Sequence, residues 1–175
     1  LRTAALDYLR GGSAAAFRDT GSFDAAGSLS QENAEAFCRD FCKAFSYDTP
    51  IFTLDETGSG TATAVRLWNG TPVFNAAVTF TIDQGRVLSA SGALLPETGA
   101  ETSGQKPLSA FAALTAFQQM RHASSSVVSS ITEVSLCYEL QSTTAAPMAL
   151  VPSWRIVTDT ATFYVNCISG TVRRA

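Results

Sequence analysis

The stretch from Val73 to Ile82 constrains the fold more than any other part of the chain. Phe74, Ala76, Val78, Phe80 and Ile82 alternate with Asn75, Ala77, Thr79 and Thr81, the period-two pattern of a strand with one face in a core and one in water. Turn signals bound it at both ends. Asn69-Gly70 supplies the positive φ angles of a tight hairpin, and Asp83-Gln84-Gly85 turns the chain back. Candidate strands Ile51 to Asp55 and Thr61 to Trp68 precede it and Arg86 to Leu94 follows. Sequential strands with turns this short fold as an antiparallel meander.

A meander with one apolar face needs a cover. The segment ahead of it offers one: Ala34, Phe37, Cys38, Phe41, Cys42 and Phe45 recur at helical spacing and predict a helix over Asn33 to Phe45. Ser30 is the expected cap, and Pro50 prevents continuation. The pattern then returns. A second helix is predicted from Pro107 or Leu108 to about His122, with Ala110, Ala113, Leu114, Phe117 and Met120 on one side and Pro107 in its first turn. Serines 124 to 126 end it, and strands are expected at Ile131 to Leu140, Met148 to Thr158 and Thr162 to Ile168.

A constant shift lays one half over the other. It carries Gln31 onto Pro107, Phe41 onto Phe117, Phe80 onto Ile156 and Asp83 onto Asp159. The fold class expected is therefore α+β, in two related halves that are each a helix on a small antiparallel sheet. Either half alone would be marginal, and packing them together enlarges the buried core. The halves span 30–95 and 107–175, joined by a polar, Gly- and Thr-containing linker at 96–106. Residues 1–29 form an appendage: a short helical start, in which Ala5, Tyr8 and Leu9 share a face, breaks at Gly11-Gly12, and a second segment runs from Ala14 to Arg18.

Composition narrows the partners. With 46% hydrophobic and 15% charged residues among 175, the chain has the apolar surface for a packed core. A net charge of -3 gives no basic field for nucleic acid. No apolar run approaches the roughly 18 residues that span a bilayer. The chain opens on Leu1 rather than Met, and the expectation is an anchor or leader upstream of it.

Each group that offers chemistry has a simpler reading. His122, the single histidine, falls at a predicted helix end, where it complements the terminal carbonyls. Cys38 and Cys42 lie four apart on one helical face, at the outer limit for a disulfide. Cys137 and Cys167 fall in two strands whose approach spacing alone leaves open. A thiolate zinc site from these four lacks the usual C-x2-C knuckle, and buried free thiols are preferred. Asp55-Glu56, Asp83 and Asp159 sit at turns, where local backbone bonding explains them. Gly58-Ser59-Gly60 lacks the lysine and helix of a phosphate loop and reads as a loop tip. Asn69-Gly70-Thr71 fits a glycosylation sequon, but the hairpin already requires those residues. Trp154 and Tyr164 are candidate surface anchors, although Trp154 shares its face with Leu150 and Ile156 and is expected to be buried. No catalytic, cofactor or metal residue is assigned.

One motif points to a family. Leu150-Val-Pro-Ser-Trp-Arg-Ile-Val-Thr-Asp159, followed by Thr162-Phe-Tyr-Val-Asn-Cys-Ile-Ser-Gly-Thr-Val172, resembles the closing hairpin of PepSY-like domains, and in particular of the extracytoplasmic YycI/YycH-type regulators of a two-component sensor kinase. In that pattern Phe163 stands for the first aromatic residue and Cys167 for an alanine. Gly70-Thr-Pro-Val-Phe74 with Asp83-Gln-Gly-Arg-Val87 is similar to the equivalent piece of the preceding unit. The resemblance implies two tandem PepSY-like units outside the membrane, tethered by an N-terminal anchor and acting without catalysis by contact with a protein partner, a membrane sensor or a peptidase. Three functions remain in view: a contact regulator, a PepSY-type inhibitor of a secreted peptidase, and a cleft enzyme using carboxylates or tyrosines on the sheet face.

Overall fold

In the computed structural model, which describes residues 5, 9, 14–17, 21–27, 29, 30, 33–100, 104–124, 127–142 and 148–175, the first helix, α1, spans Ala34–Ala44. Its cap is Asn33 rather than Ser30. Asn33 adopts φ 52°, and its side chain accepts a hydrogen bond from the N–H of Ala36 at 3.1 Å. Ser30 accepts instead from the N–H of Val87 at 3.0 Å, tying the approach to the helix onto a strand. Ala34, Cys38, Phe41, Cys42 and Phe45 are buried as their spacing required, with Phe37 packed at their edge.

Six strands accompany this helix: β1 (Ala14–Phe17), β2 (Ser22–Ala26), β3 (Ile51–Leu54), β4 (Gly60–Trp68), β5 (Thr71–Asp83) and β6 (Arg86–Ala93). Asn69 and Gly70, at φ 49° and 78°, close the β4–β5 hairpin between Trp68 and Thr71. Gln84 and Gly85, at 47° and 74°, close β5–β6 between Asp83 and Arg86. Both are two-residue turns with positive φ at each position, whose twist matches that of the flanking strands. Phe41 stands against Phe80 at 5.4 Å and 85°, with Phe23, Phe45 and Tyr47 around it.

The second helix, α2, spans Ala110–Ser124 and is followed by β7 (Ile131–Gln141), β8 (Ala149–Thr158), β9 (Thr162–Asn166) and β10 (Val172–Arg174). Pro107 lies ahead of the first turn, and Ser109 accepts from the N–H of Ala112. Phe117 packs on Phe163 at 5.0 Å beside Ile156 and Val165. The short β10, which lies beyond the last strand expected from sequence, pairs with β9 at Val172↔Val165.

The expectation of two small separate sheets is overturned. Among the described residues the ten strands form one sheet, in the order β1-β2-β6-β5-β7-β8-β9-β10 with β4 and β3 branching from β5. The joint lies on β5. Its outer edge is shared: β6 takes Val78 to Asp83, and β7 meets it in parallel at Val73↔Tyr138. Between these two partners the register of β5 slips. Arg66 faces Val73 and Val65 faces Ala77, leaving Phe74, Asn75 and Ala76 in the bulge. An open edge on either half is a row of unpaired backbone groups, and the halves join where these edges meet at Val73 and Tyr138.

The bulge also corrects the alternation read along this strand. Ala76, Val78, Phe80 and Ile82 are buried as expected, but Val73 takes the core position and Phe74 is only half-buried on the opposite face. The appendage contributes strands as well: β2 pairs with β6, placing Phe23 opposite Gly92, and β1 pairs with β2. Ala5 and Leu9 are buried and joined by a backbone hydrogen bond of 3.0 Å, one helical turn apart. Tyr8, Gly11, Gly12, Arg18, residues 101–103 of the linker, Ser125 and Ser126 lie outside the described residues.

Candidate functional site

Register places both helices on one side of the sheet. Ala62, Ala64 and Arg66 alternate onto the α1 side of β4, Arg66 faces Val73, and Val73 faces Tyr138. Two residues along β7, Leu136 faces Trp154, which packs with α2. On this side of the sheet, where the ends of β4, β7 and β8 meet the linker, lies a cleft of about 680 Å³. Trp68, Tyr138, Leu140 and Leu150 form its floor and sides, and Pro96 and Pro107 at the two ends of the linker form its rim.

Hydrogen bonds fix both ends of the linker beside the cleft. The half-buried Trp154 donates its indole N–H to the carbonyl of Leu108 at 2.9 Å, and the N–H of Leu108 donates to the carbonyl of Cys167 at 2.8 Å. These bonds fix the entry to α2 on the second half. On the other side, Leu95 is buried and its carbonyl accepts from Arg66 at 3.3 Å. Between these fixed ends the linker residues Thr98, Gly99, Ala100 and Gln105 also line the cleft, and a Cβ added to Gly99 would stand 3.3 Å from the indole of Trp68.

Arg66 is the charged residue that sequence reasoning missed. It is 2% exposed, donates to the carbonyls of Phe45 and, at 2.7 Å, Ser46 at the end of α1, and lies 5.6 Å from the ring of Tyr47. A cation there complements the negative end of the helix. Burial lowers its affinity for a proton, with Tyr47 and Glu97 opposing that shift. The signal was present: Arg66 occupies the apolar phase of the series Ala62, Ala64, Arg66. Tyr47 donates to the carbonyl of Ala93 at 2.5 Å, and burial pushes its hydroxyl well above the usual range.

The carboxylates read as turn residues are turn residues here. Asp55 accepts from the hydroxyl and N–H of Thr57 and from the N–H of Ser59, and the Thr57 bond holds its carboxyl below the ordinary value. Ser59 in turn donates to Asp83 at 2.9 Å, so Gly58-Ser59-Gly60 bridges two turns. Asp159 accepts from the N–H of Ser129 at 3.2 Å. None of the three lines the cleft. His122 is exposed in the last turn of α2.

All four cysteines are free and buried. Burial pushes the thiols of Cys38, Cys42 and Cys137 up to about 12, which disfavours the thiolate that metal binding or nucleophilic attack needs. Cys38 and Cys42 belong to the core under α1, whereas Cys137 is on β7 and donates to the carbonyl of Ser153. Among the described residues no cluster of three or more His, Cys, Asp or Glu side chains is disposed to hold a metal ion.

On the face away from the helices, Phe74 stacks on Tyr164 at 3.7 Å and 16°. Arg173 lies over both rings, at 5.2 and 5.8 Å, and pairs with Glu139 at 2.8 Å. Tyr164 is thus a half-buried partner of the bulge. Its burial, the first cause, raises its hydroxyl above the ordinary range.

No protein-family profile matches the chain. No curated protein matches it either. Among solved structures it is similar to the Bacillus megaterium YpeB C-terminal domain, at 12% identity over 99% of this chain and 95% of that one, with a TM-score of 0.46.

Proposed function

We propose that this chain is a non-enzymatic interaction module of the PepSY-like kind, which holds an apolar segment of a partner protein in the cleft beside its linker. The observation that carries the reading is the cleft itself: Trp68, Tyr138, Leu140, Leu150 and the rim prolines converge where strands of both halves meet the linker, and aromatic and aliphatic side chains around a concavity are what a partner's anchor residue requires. The groups sequence offered for chemistry support the same reading, because Asp55, Asp83 and Asp159 are engaged in turns away from it. In its finer form the module works outside the membrane, anchored in the full-length protein, and the partner is a membrane sensor of the kind YycI/YycH-type regulators contact.

The test compares full-length protein with an Ile168→Arg variant. Ile168 lines the cleft and is 36% exposed, so the substitution charges the cleft at little cost to folding. A membrane partner recovered with the wild type and lost with the variant supports the proposal. Equal recovery with wild type and variant places the contact elsewhere. Inhibition of a peptidase from the same source, abolished by the same substitution, would replace the sensor with a peptidase as the partner.

A further inference from the structure

The aromatic residues of the cleft keep their polar tips unpaired. Trp68 follows Arg66 by two residues on β4, and Tyr138 faces Val73 from β7, so both stand on the helix side of the sheet. Their rings pack around Val73 and Leu95. Among the described residues, however, neither the indole N–H of Trp68 nor the hydroxyl of Tyr138 makes a hydrogen bond. Trp154 and Tyr47, by contrast, donate to the carbonyls of Leu108 and Ala93. The two tips at the cleft are not sealed from water, since among the described residues the buried side-chain atoms without a partner belong to Arg66 and Ser153. The exposed amides of Asn69 and Gln105, on the same lining, are unpaired as well.

Charge is missing from this lining. Among the described residues no Asp, Glu, Lys, Arg or His borders the cleft, so an ionised group brought into it would lose water and gain no counter-charge. What the lining offers is N–H and O–H donors set in apolar surface: an indole only donates, and each amide carries two donors. Their complement is an uncharged chain with free carbonyls. A helix commits its carbonyls to its own N–H groups. An added β-strand exchanges backbone bonds along a sheet edge and leaves side-chain donors unmatched. A polyproline II segment has no internal hydrogen bonds, so its carbonyls stay free, and its prolines bring apolar rings without N–H groups of their own.

We propose that the occupant of the cleft is an uncharged, proline-rich segment of the partner in polyproline II conformation, with its rings against Trp68 and Tyr138 and its carbonyls accepting from the indole N–H and the hydroxyl. This occupant rests on the reading of the cleft as the partner's site and gives that partner a chemistry. A segment already stiff in its bound conformation loses little freedom on binding, and aromatic-lined grooves are the surfaces on which such segments dock.

Oligoproline, acetylated and amidated, is titrated calorimetrically into the full-length protein. The comparison peptides are an Ala- and Leu-rich helix, a Thr- and Val-rich extended chain, and oligoproline with a central glutamate or lysine. The expected result is tightest binding of neutral oligoproline, weakened roughly three- to tenfold by Tyr138→Phe and lost in Ile168→Arg. Tyr138→Phe removes one oxygen and keeps the ring, and the peptide comparison on wild type needs no variant at all. Equal binding of the peptides, equal affinity for wild type and Tyr138→Phe, or oligoproline binding undiminished by Ile168→Arg overturns the proposal. Recovery of the native partner from membranes with wild type and Ile168→Arg judges the cleft reading separately, so either can fail while the other stands.

Discussion

The side-chain amide of Asn75 pairs with the backbone of Leu140 in both directions, accepting from its N–H and donating to its carbonyl, each at 2.7 Å. A side chain thus takes the place of a strand residue where the β5 bulge would leave β7 without a partner. Asn75→Ala removes both bonds and exposes two backbone groups to imperfect solvation, at a cost of roughly 1 to 3 kcal/mol. Denaturant unfolding measures the loss. Hydrogen exchange should place it at Leu140 and along β7, and protection there equal to wild type would rule out the clamp.

Arg66 joins the end of α1 to the chain leaving β6. Its guanidinium reaches the carbonyls of Phe45, Ser46 and Leu95 from a position 2% exposed. Arg66→Ala leaves those acceptors unpaired and opens a void, so roughly 3 kcal/mol or more of stability should be lost. Arg66→Lys keeps the charge but lacks the fork that spans separate carbonyls, and should recover only part of it. Thermal melts of the three proteins give the order.

Gly92 lies where β6 is flanked by Val78 of β5 and Phe23 of β2. A Cβ there would stand 2.5 Å from the carbonyl oxygen of Ala77 and 2.8 Å from the Cα of Val78. Both neighbours are backbone, so relief requires the strands to move. Gly92→Ala should cost about 1 to 3 kcal/mol, read as a lower urea midpoint with an unchanged slope.

Buried thiols make stability fall in alkali. Cys38, Cys42 and Cys137 are pushed up to about 12 by burial, while an unfolded thiol ionises near about 8.5. The unfolded chain therefore loses these protons first, and stability is complete below about pH 8.5 and declines as pH rises toward 12. Unfolding midpoints measured across that window should drop steadily. Replacing Cys38 and Cys42 with alanine should flatten the decline, even though the variant begins less stable, and an undiminished slope would assign the effect to other groups.

Local signals located most of the elements. The period of Ala34 to Phe45 predicted α1 to within a residue at each end, and Asn69-Gly70 and Gln84-Gly85 made the hairpins their backbone angles favour. The cap moved from Ser30 to Asn33 because both can accept a helical N–H, and the choice depended on Val87 being close enough to occupy Ser30. The cleft was illegible for a related reason. Trp68, Tyr138 and Pro107 are separated widely along the chain, and no local pattern distinguishes a side chain facing a partly filled seam from one facing a filled core.

What the sequence determined by itself is the set of strands, helices and tight turns, because these follow from spacings of two and of three to four residues and from a few positive φ angles. Whether the halves remain two small sheets or join as one was decided only in three dimensions. That outcome rests on a slipped register in β5, which turns Phe74 toward Tyr164, lets Val73 meet Tyr138 and sets the Asn75 amide against Leu140. The energies involved are those of edges left unpaired or satisfied, and an edge exists only once strands from distant parts of the chain have met.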